Sequence, residues 1–142
     1  KDQFCSVVKF SLDKHKILLA AEIDCFETLK SSSGRTSKQY VELKTYKQVT
    51  HKSEYSFKRY KLLAFWIQSF IAGVPKIVCG HRDADGFVRE IKTYETTKLP
   101  RMAGKLWNAH SCLNFLNTVL TLTKRIVKEG IMYKLSFKHP FR

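Results

Sequence analysis

Between Ser53 and Ala72 the chain carries Phe57, Tyr60, Ala64, Ile67 and Ile71 at three- and four-residue intervals, which is the period of one helix face. Ser53 is placed to cap the start, and Gly73 and Pro75 end the run. Segments with strand character lie on both sides. Phe4 to Leu12 is rich in Val and Phe, and Ile17 to Phe26 reads as a second, more deeply buried strand. Lys30 to Lys38 is a polar loop without an apolar anchor, and Tyr40 to Tyr46 is a third strand with clear alternation. After the helix, Lys76 to Gly80 is a short apolar strand, Asp83-Ala84-Asp85-Gly86 a turn, and Phe87 to Tyr94 a returning strand. A second helix is predicted over about Ser111 to Lys128, with Phe115, Leu116, Val119, Leu120, Leu122, Ile126 and Val127 on its apolar side and Gly130 at its end. Beyond it Ile131, Tyr133, Leu135 and Phe137 alternate with Met132, Lys134, Ser136 and Lys138. Loosely alternating strands and helices predict an α+β fold, a mixed β-sheet flanked by helices.

With 142 residues, 44% of them hydrophobic and 13% aromatic, the chain has the size and content of one domain with a real core. It opens on Lys1-Asp2-Gln3-Phe4 without a Met, so the expectation is a piece of a longer polypeptide. Lys and Arg number 26 against 12 acids, a net charge of +14 that favours polyanionic partners. No apolar run approaches the roughly 18 residues of a spanning helix, which makes nucleic acid a better partner than a membrane. Cys5, Cys25, Cys79 and Cys112 form no C-x-x-C pair and lie in apolar stretches. They read as reduced thiols of an intracellular protein, nuclear or cytoplasmic, and zinc on Cys79 with His81 or His110 with Cys112 is disfavoured.

Two short motifs carry the chemistry. Side chains two apart on a strand share a face, so Glu22 and Asp24 point one way and Ile23 the other. Glu42 and Lys44 likewise share a face, with Val41 and Leu43 directed into the core. If the two strands are neighbours, three carboxylates and one ammonium meet on one patch. Clustered carboxylates need compensation, and Mg²⁺ or Mn²⁺ is a hard cation suited to oxygen ligands. Two such ions can clamp a phosphate, while Lys44 neutralises charge developing on it. The bland reading of both motifs is a pair of strand-surface ion pairs. Gln68 interrupts an otherwise apolar helix segment, and Ala64 and Lys61 precede it, so this face can turn polar and meet a substrate backbone. A buried amide that satisfies a core carbonyl is the commoner role.

The motifs together resemble the decapping exoribonuclease (DXO) family, which includes the fungal partner of the nuclear 5′–3′ exoribonuclease. The family's E-h-D motif (h, hydrophobic) stands as Glu22-Ile23-Asp24, and its E-h-K motif as Glu42-Leu43-Lys44, followed by Thr45. Its glutamine-bearing helix stands as Lys61 to Phe70, followed by Gly73-Val74-Pro75, the Gly80-to-Phe87 turn and Cys112-Leu113-Asn114-Phe115. Phe4-Cys5-Ser6-Val7 resembles the segment before the E-h-D strand, where the cysteine lines the RNA path. The resemblance implies a nuclease core related to the PD-(D/E)XK group that acts with Mg²⁺ or Mn²⁺ on RNA 5′ ends lacking a proper methylated cap. Decapping, release of pyrophosphate from triphosphate ends, and 5′–3′ degradation all occur in the family. It implies metal ligation by Glu22, Asp24, Glu42 and the Leu43 carbonyl, and substrate contacts from Cys5, Glu22, Lys44 and Gln68. The family's arginine motif and G-x-h-x-E motif, both N-terminal to the E-h-D strand, do not occur here. Residues 1–142 are therefore expected to be the C-terminal catalytic part of such a domain, with an incomplete site and no activity alone. Two rivals are a non-catalytic scaffold that stabilises a partner exonuclease through Arg82 to Tyr94, and a DNA nuclease on the same core.

Overall fold

The computed structural model describes residues 4–136. A crossover unit organises it. Strand β4 (Thr36–Lys47) leads through a helical segment to β5 (Lys76–Arg82), and the two strands pair in parallel, Glu42 opposite Ile77 and Lys44 opposite Cys79. Parallel neighbours require such a crossover because a tight turn cannot join them. Antiparallel partners flank the pair: β3 (Cys25–Lys30) on β4, and β6 (Val88–Glu95) on β5. The sheet order is β3-β4-β5-β6, and a separate antiparallel hairpin, β1 (Cys5–Leu12) with β2 (His15–Glu22), precedes it. The mixed sheet with helices agrees with the α+β expectation.

The crossover comprises α1 (His51–Ser56), a π-helical segment Phe57–Lys61, and α2 (Leu62–Ile71). Thr50, not Ser53, is the N-cap: its N–H donates to Ser53 Oγ at 2.9 Å, and Ser53 N–H donates to its carbonyl at 3.0 Å. The π segment changes which face is buried. A π turn inserts one residue, so the neighbours of Phe57 one and two turns on become Leu62, Phe65 and Trp66 in place of Lys61 and Ala64. Phe57, Leu62, Phe65 and Trp66 are buried, and so is Ser69, whereas Lys61, Ala64 and Gln68 are exposed. The uninterrupted period expected from Tyr60 and Ala64 is corrected accordingly; Tyr60 is 59% exposed. The Leu62 N–H bonds the Phe57 carbonyl, and the Lys58 carbonyl inside the segment accepts from Trp107 Nε1 at 2.9 Å.

That face packs with Ile77, Cys79, Tyr94, Leu99, Ala103 and Trp107 into the main core. Leu99 and Ala103 belong to a short α3 (Leu99–Ala103), an element without a signal strong enough to find in sequence. The last helix, α4 (Ala109–Ile126), begins two residues earlier than expected because the Asn108 side chain accepts the Ser111 N–H at 3.0 Å. It leans on the hairpin through His15 Nε2 to Thr121 Oγ1 at 2.9 Å and Asn117 to Asp13 at 3.2 Å. Residues 131–136 form no regular element, and Phe137 and Lys138 lie outside the described residues.

Two further expectations need correction. The strand expected over Ile17 to Phe26 is two strands, broken at Ile23-Asp24, because the chain leaves one sheet there and enters another. The loop expected over Lys30 to Lys38 shrinks to a tight turn. Backbone pairing carries β3 to Lys30 and starts β4 at Thr36, with Ser31 N–H on the Arg35 carbonyl at 2.8 Å and Gly34 at φ 77.

Candidate active site

The break at Ile23-Asp24 is where the site residues gather. Ile23 is buried with Ala72 and Val74, a small second core that pins the junction to the end of α2. Its N–H bonds the Phe4 carbonyl at 3.0 Å. Asp24 follows, exposed, and its Oδ2 accepts the Leu43 N–H at 2.7 Å. Continuing the β3–β4 register one step past Cys25 opposite Val41 sets Asp24 beside Glu42. Strand adjacency, an assumption at the level of sequence, thus holds for β3 and β4.

Glu42 lies on the helix-covered face of β4 and is only 4% exposed. A buried carboxylate needs a partner, and Lys44, two residues along the same face, provides it at 2.5 Å. Lys44 Nζ also donates to Gln68 Oε1 at 2.8 Å, across the seam between β4 and α2. Two of the three ammonium donors are thereby committed. With its carbonyl oxygen engaged, Gln68 presents its amide N–H donors outward. Lys44, Glu42 and Gln68 form one connected group, and the amide flagged in sequence is a surface group on it. The Lys44 ammonium also lies 6.0 Å from the Phe65 ring centroid. Beneath it, burial pushes the Cys79 thiol up from its ordinary pKa, an effect the Lys44 charge opposes. Deeper still, burial pushes Tyr94 up to about 12, and its hydroxyl bonds His81 Nε2 at 3.0 Å.

Glu22 stands apart. It ends β2 on the hairpin, opposite Cys5, and both side chains are exposed. Among the described residues no hydrogen bond or ion pair joins Glu22 to Asp24 or Glu42, and no group of three or more His, Cys, Asp or Glu converges to hold a metal. The expected three-carboxylate patch is therefore only partly assembled. Asp24 and Glu42 fit a hard divalent cation in kind, being oxygen donors at the β2–β3 break and on the adjoining β4, but not in number. Leu43 is also not where it was expected: its side chain is 50% exposed, whereas Val41, two residues earlier on the same face of β4, is buried at 5%. The four cysteines are free thiols. No helix among the described residues is long and apolar enough to cross a membrane.

A mixed sheet with a crossover helix, and an acid pair, lysine and glutamine on their common seam, define a nuclease fold of the PD-(D/E)XK type. The family model for RAI1-like PD-(D/E)XK nucleases matches residues 1–142, and the chain belongs to that family. Over 137 residues it is 36% identical to a decapping nuclease RAI1 of Emericella nidulans, covering 94% of this chain and 38% of the relative. Over 130 residues it is 39% identical to the human decapping and exoribonuclease protein, covering 89% of this chain and 33% of the relative. The structure superposes on Candida albicans Rai1 in complex with pU5-Mn²⁺ with a TM-score of 0.73 and 26% identity, covering 91% of this chain and 36% of that one. The chain thus spans about a third of the length of these relatives.

Proposed function

We propose that the protein containing this chain is a metal-dependent hydrolase of RNA 5′ ends, acting on incompletely or non-canonically capped and 5′-triphosphate RNA. The observation that carries this reading is the Glu42–Lys44–Gln68 group, with Asp24 at its edge. It presents ammonium and amide donors beside carboxylate oxygens, which is what recognition of a terminal phosphate next to a hard cation needs. The relative solved with pU5 and Mn²⁺ is consistent with that ligand chemistry.

Asp24, Glu42, Glu22 and the Leu43 carbonyl are the proposed metal ligands, for Mg²⁺ or Mn²⁺ and for two ions. When bound, the cations supply Lewis acidity at the phosphate oxygens and offset the clustered acids. Lys44 pairs with the buried Glu42 carboxylate and aims its remaining donor at the phosphate. Gln68 orients that phosphate through its amide N–H groups. Cys5 and Glu22, at one end of the hairpin, flank the strand. Further ligands come from the N-terminal part of the same protein, and residues 1–142 alone are inactive. The β5–β6 hairpin, with Phe87 64% and Ile91 69% exposed, is the surface proposed for a nuclear 5′–3′ exoribonuclease. This places the protein inside the cell, in nucleus or cytoplasm.

The test uses the full natural polypeptide on 5′-triphosphate RNA and on DNA of the same sequence. We expect Mn²⁺-dependent hydrolysis of the RNA alone, and loss of turnover and of calorimetric Mn²⁺ binding in Asp24→Ala with the circular dichroism spectrum retained. Unchanged metal affinity in that variant would remove Asp24 from the ligand set, and equal cleavage of DNA would overturn the RNA assignment.

A further inference from the structure

We infer that Lys61, set against Tyr46, binds the phosphate that follows the 5′-terminal one and so threads the RNA strand along the β4–α2 seam. The inference rests on the RNA reading above and extends it from a terminal group to a path.

Three observations carry it. First, Lys61, Ala64 and Gln68 form one exposed stripe on the crossover, while Leu62, Phe65, Trp66 and Ser69 are buried on the opposite side. The stripe exists because the π segment ends at Lys61 and rotates that side chain out of the core. Second, the partner strand runs in step with it. Glu42, Lys44 and Tyr46 alternate along one face of β4; Gln68 meets Lys44 at 2.8 Å, and the Lys61 ammonium lies 5.8 Å from the Tyr46 ring centroid. Positions two apart on a strand are separated by about 6.6 Å, a distance on the scale of one nucleotide step. The residue between the two polar ones is the small, exposed Ala64. Third, Lys61 is not engaged by acid. Lys44, Lys58 and Lys76 each pair with a glutamate, whereas among the described residues no carboxylate pairs with Lys61. A cation held on a ring and without a counter-ion is poised for an external anion, and cation-plus-aromatic grooves are how proteins track single-stranded backbones without reading sequence.

The experiment measures binding of two 5′-phosphorylated uridine probes, the mononucleotide and the pentanucleotide, to the full natural polypeptide in Ca²⁺. Wild type is compared with Lys61→Gln, Lys61→Arg and Lys44→Ala over a range of salt concentrations. Lys61→Gln should weaken the pentanucleotide about 10-fold, leave the mononucleotide unchanged, and lower the slope of log affinity against log salt by about 0.7, the single-strand value for one phosphate contact. Lys61→Arg should restore both quantities. Lys44→Ala should weaken both probes. If Lys61→Gln weakens both probes equally, or changes neither, the path is wrong while the terminal-phosphate reading stands. If wild type binds neither probe, the RNA reading falls and the path with it.

Discussion

The crossover unit and the N-terminal hairpin are both built from strands that alternate in sequence, yet they differ in how they are held. In the crossover, Ile77, Cys79, Leu62 and Trp66 are sealed, and Trp66 stacks on Phe70 at 5.0 Å and against Trp107 at 5.4 Å. In the hairpin, His15 is the only buried residue; Val7 is 63% and Leu18 72% exposed. The site straddles the two. Its hydrogen-bonded group, Glu42, Lys44 and Gln68, sits on the sealed unit, and Cys5 and Glu22 sit on the loosely covered one. Groups that must aim a charge need a rigid support. Glu22, which no hydrogen bond or ion pair joins to Asp24 or Glu42 among the described residues, is the carboxylate on the hairpin.

This contrast can be tested by substitution. Trp66→Ala should have the largest effect, a loss of about 3–5 kcal/mol in denaturant unfolding, because a buried aromatic leaves a cavity among packed neighbours. A loss below about 1 kcal/mol would show that the crossover is not the tight half. Lys44→Ala comes next. In the full natural polypeptide it should retain Mn²⁺ binding yet lose about 3 kcal/mol of transition-state stabilisation, seen as a drop of two to three orders in kcat on triphosphate RNA. Near-normal kcat would reduce Lys44 to a counter-ion for Glu42. Thr121→Val is the smallest. It leaves His15 without its bond to Thr121, and His15 Nδ1 already has no partner among the described residues. A cost of about 1–3 kcal/mol is expected, confined to the hairpin. Amide hydrogen exchange should quicken in β1 and β2 while β4 and β5 keep their protection. Uniform quickening would mean that the two regions open as one.

Much of this was legible in the linear chain. Alternation marked the strands, Gly73 and Pro75 marked the end of the crossover, and the E-h-D and E-h-K spacings included Asp24, Glu42 and Lys44, which the fold brings together at β4. Local periodicity carries that information because it depends only on backbone geometry. Three things did not follow from it. The inserted residue at Phe57–Lys61 is invisible to a 3.6-residue count, since no residue type marks a π turn; only packing against Trp107 and Tyr94 reveals which face won. The break at Ile23 is likewise hidden, because a continuous apolar run does not say when a strand changes sheets. Leu43 was assigned to the core by alternation, which identifies a face but not whether anything covers it. Sequence alone therefore determined the alternation along β4 and that Glu42 and Lys44 stand together on one face of it. Tertiary structure decided which faces are covered, that Lys44 reaches both Glu42 and Gln68, and that Glu22 ends a strand of the other sheet. Those outcomes depend on contacts between distant segments, which no local period encodes.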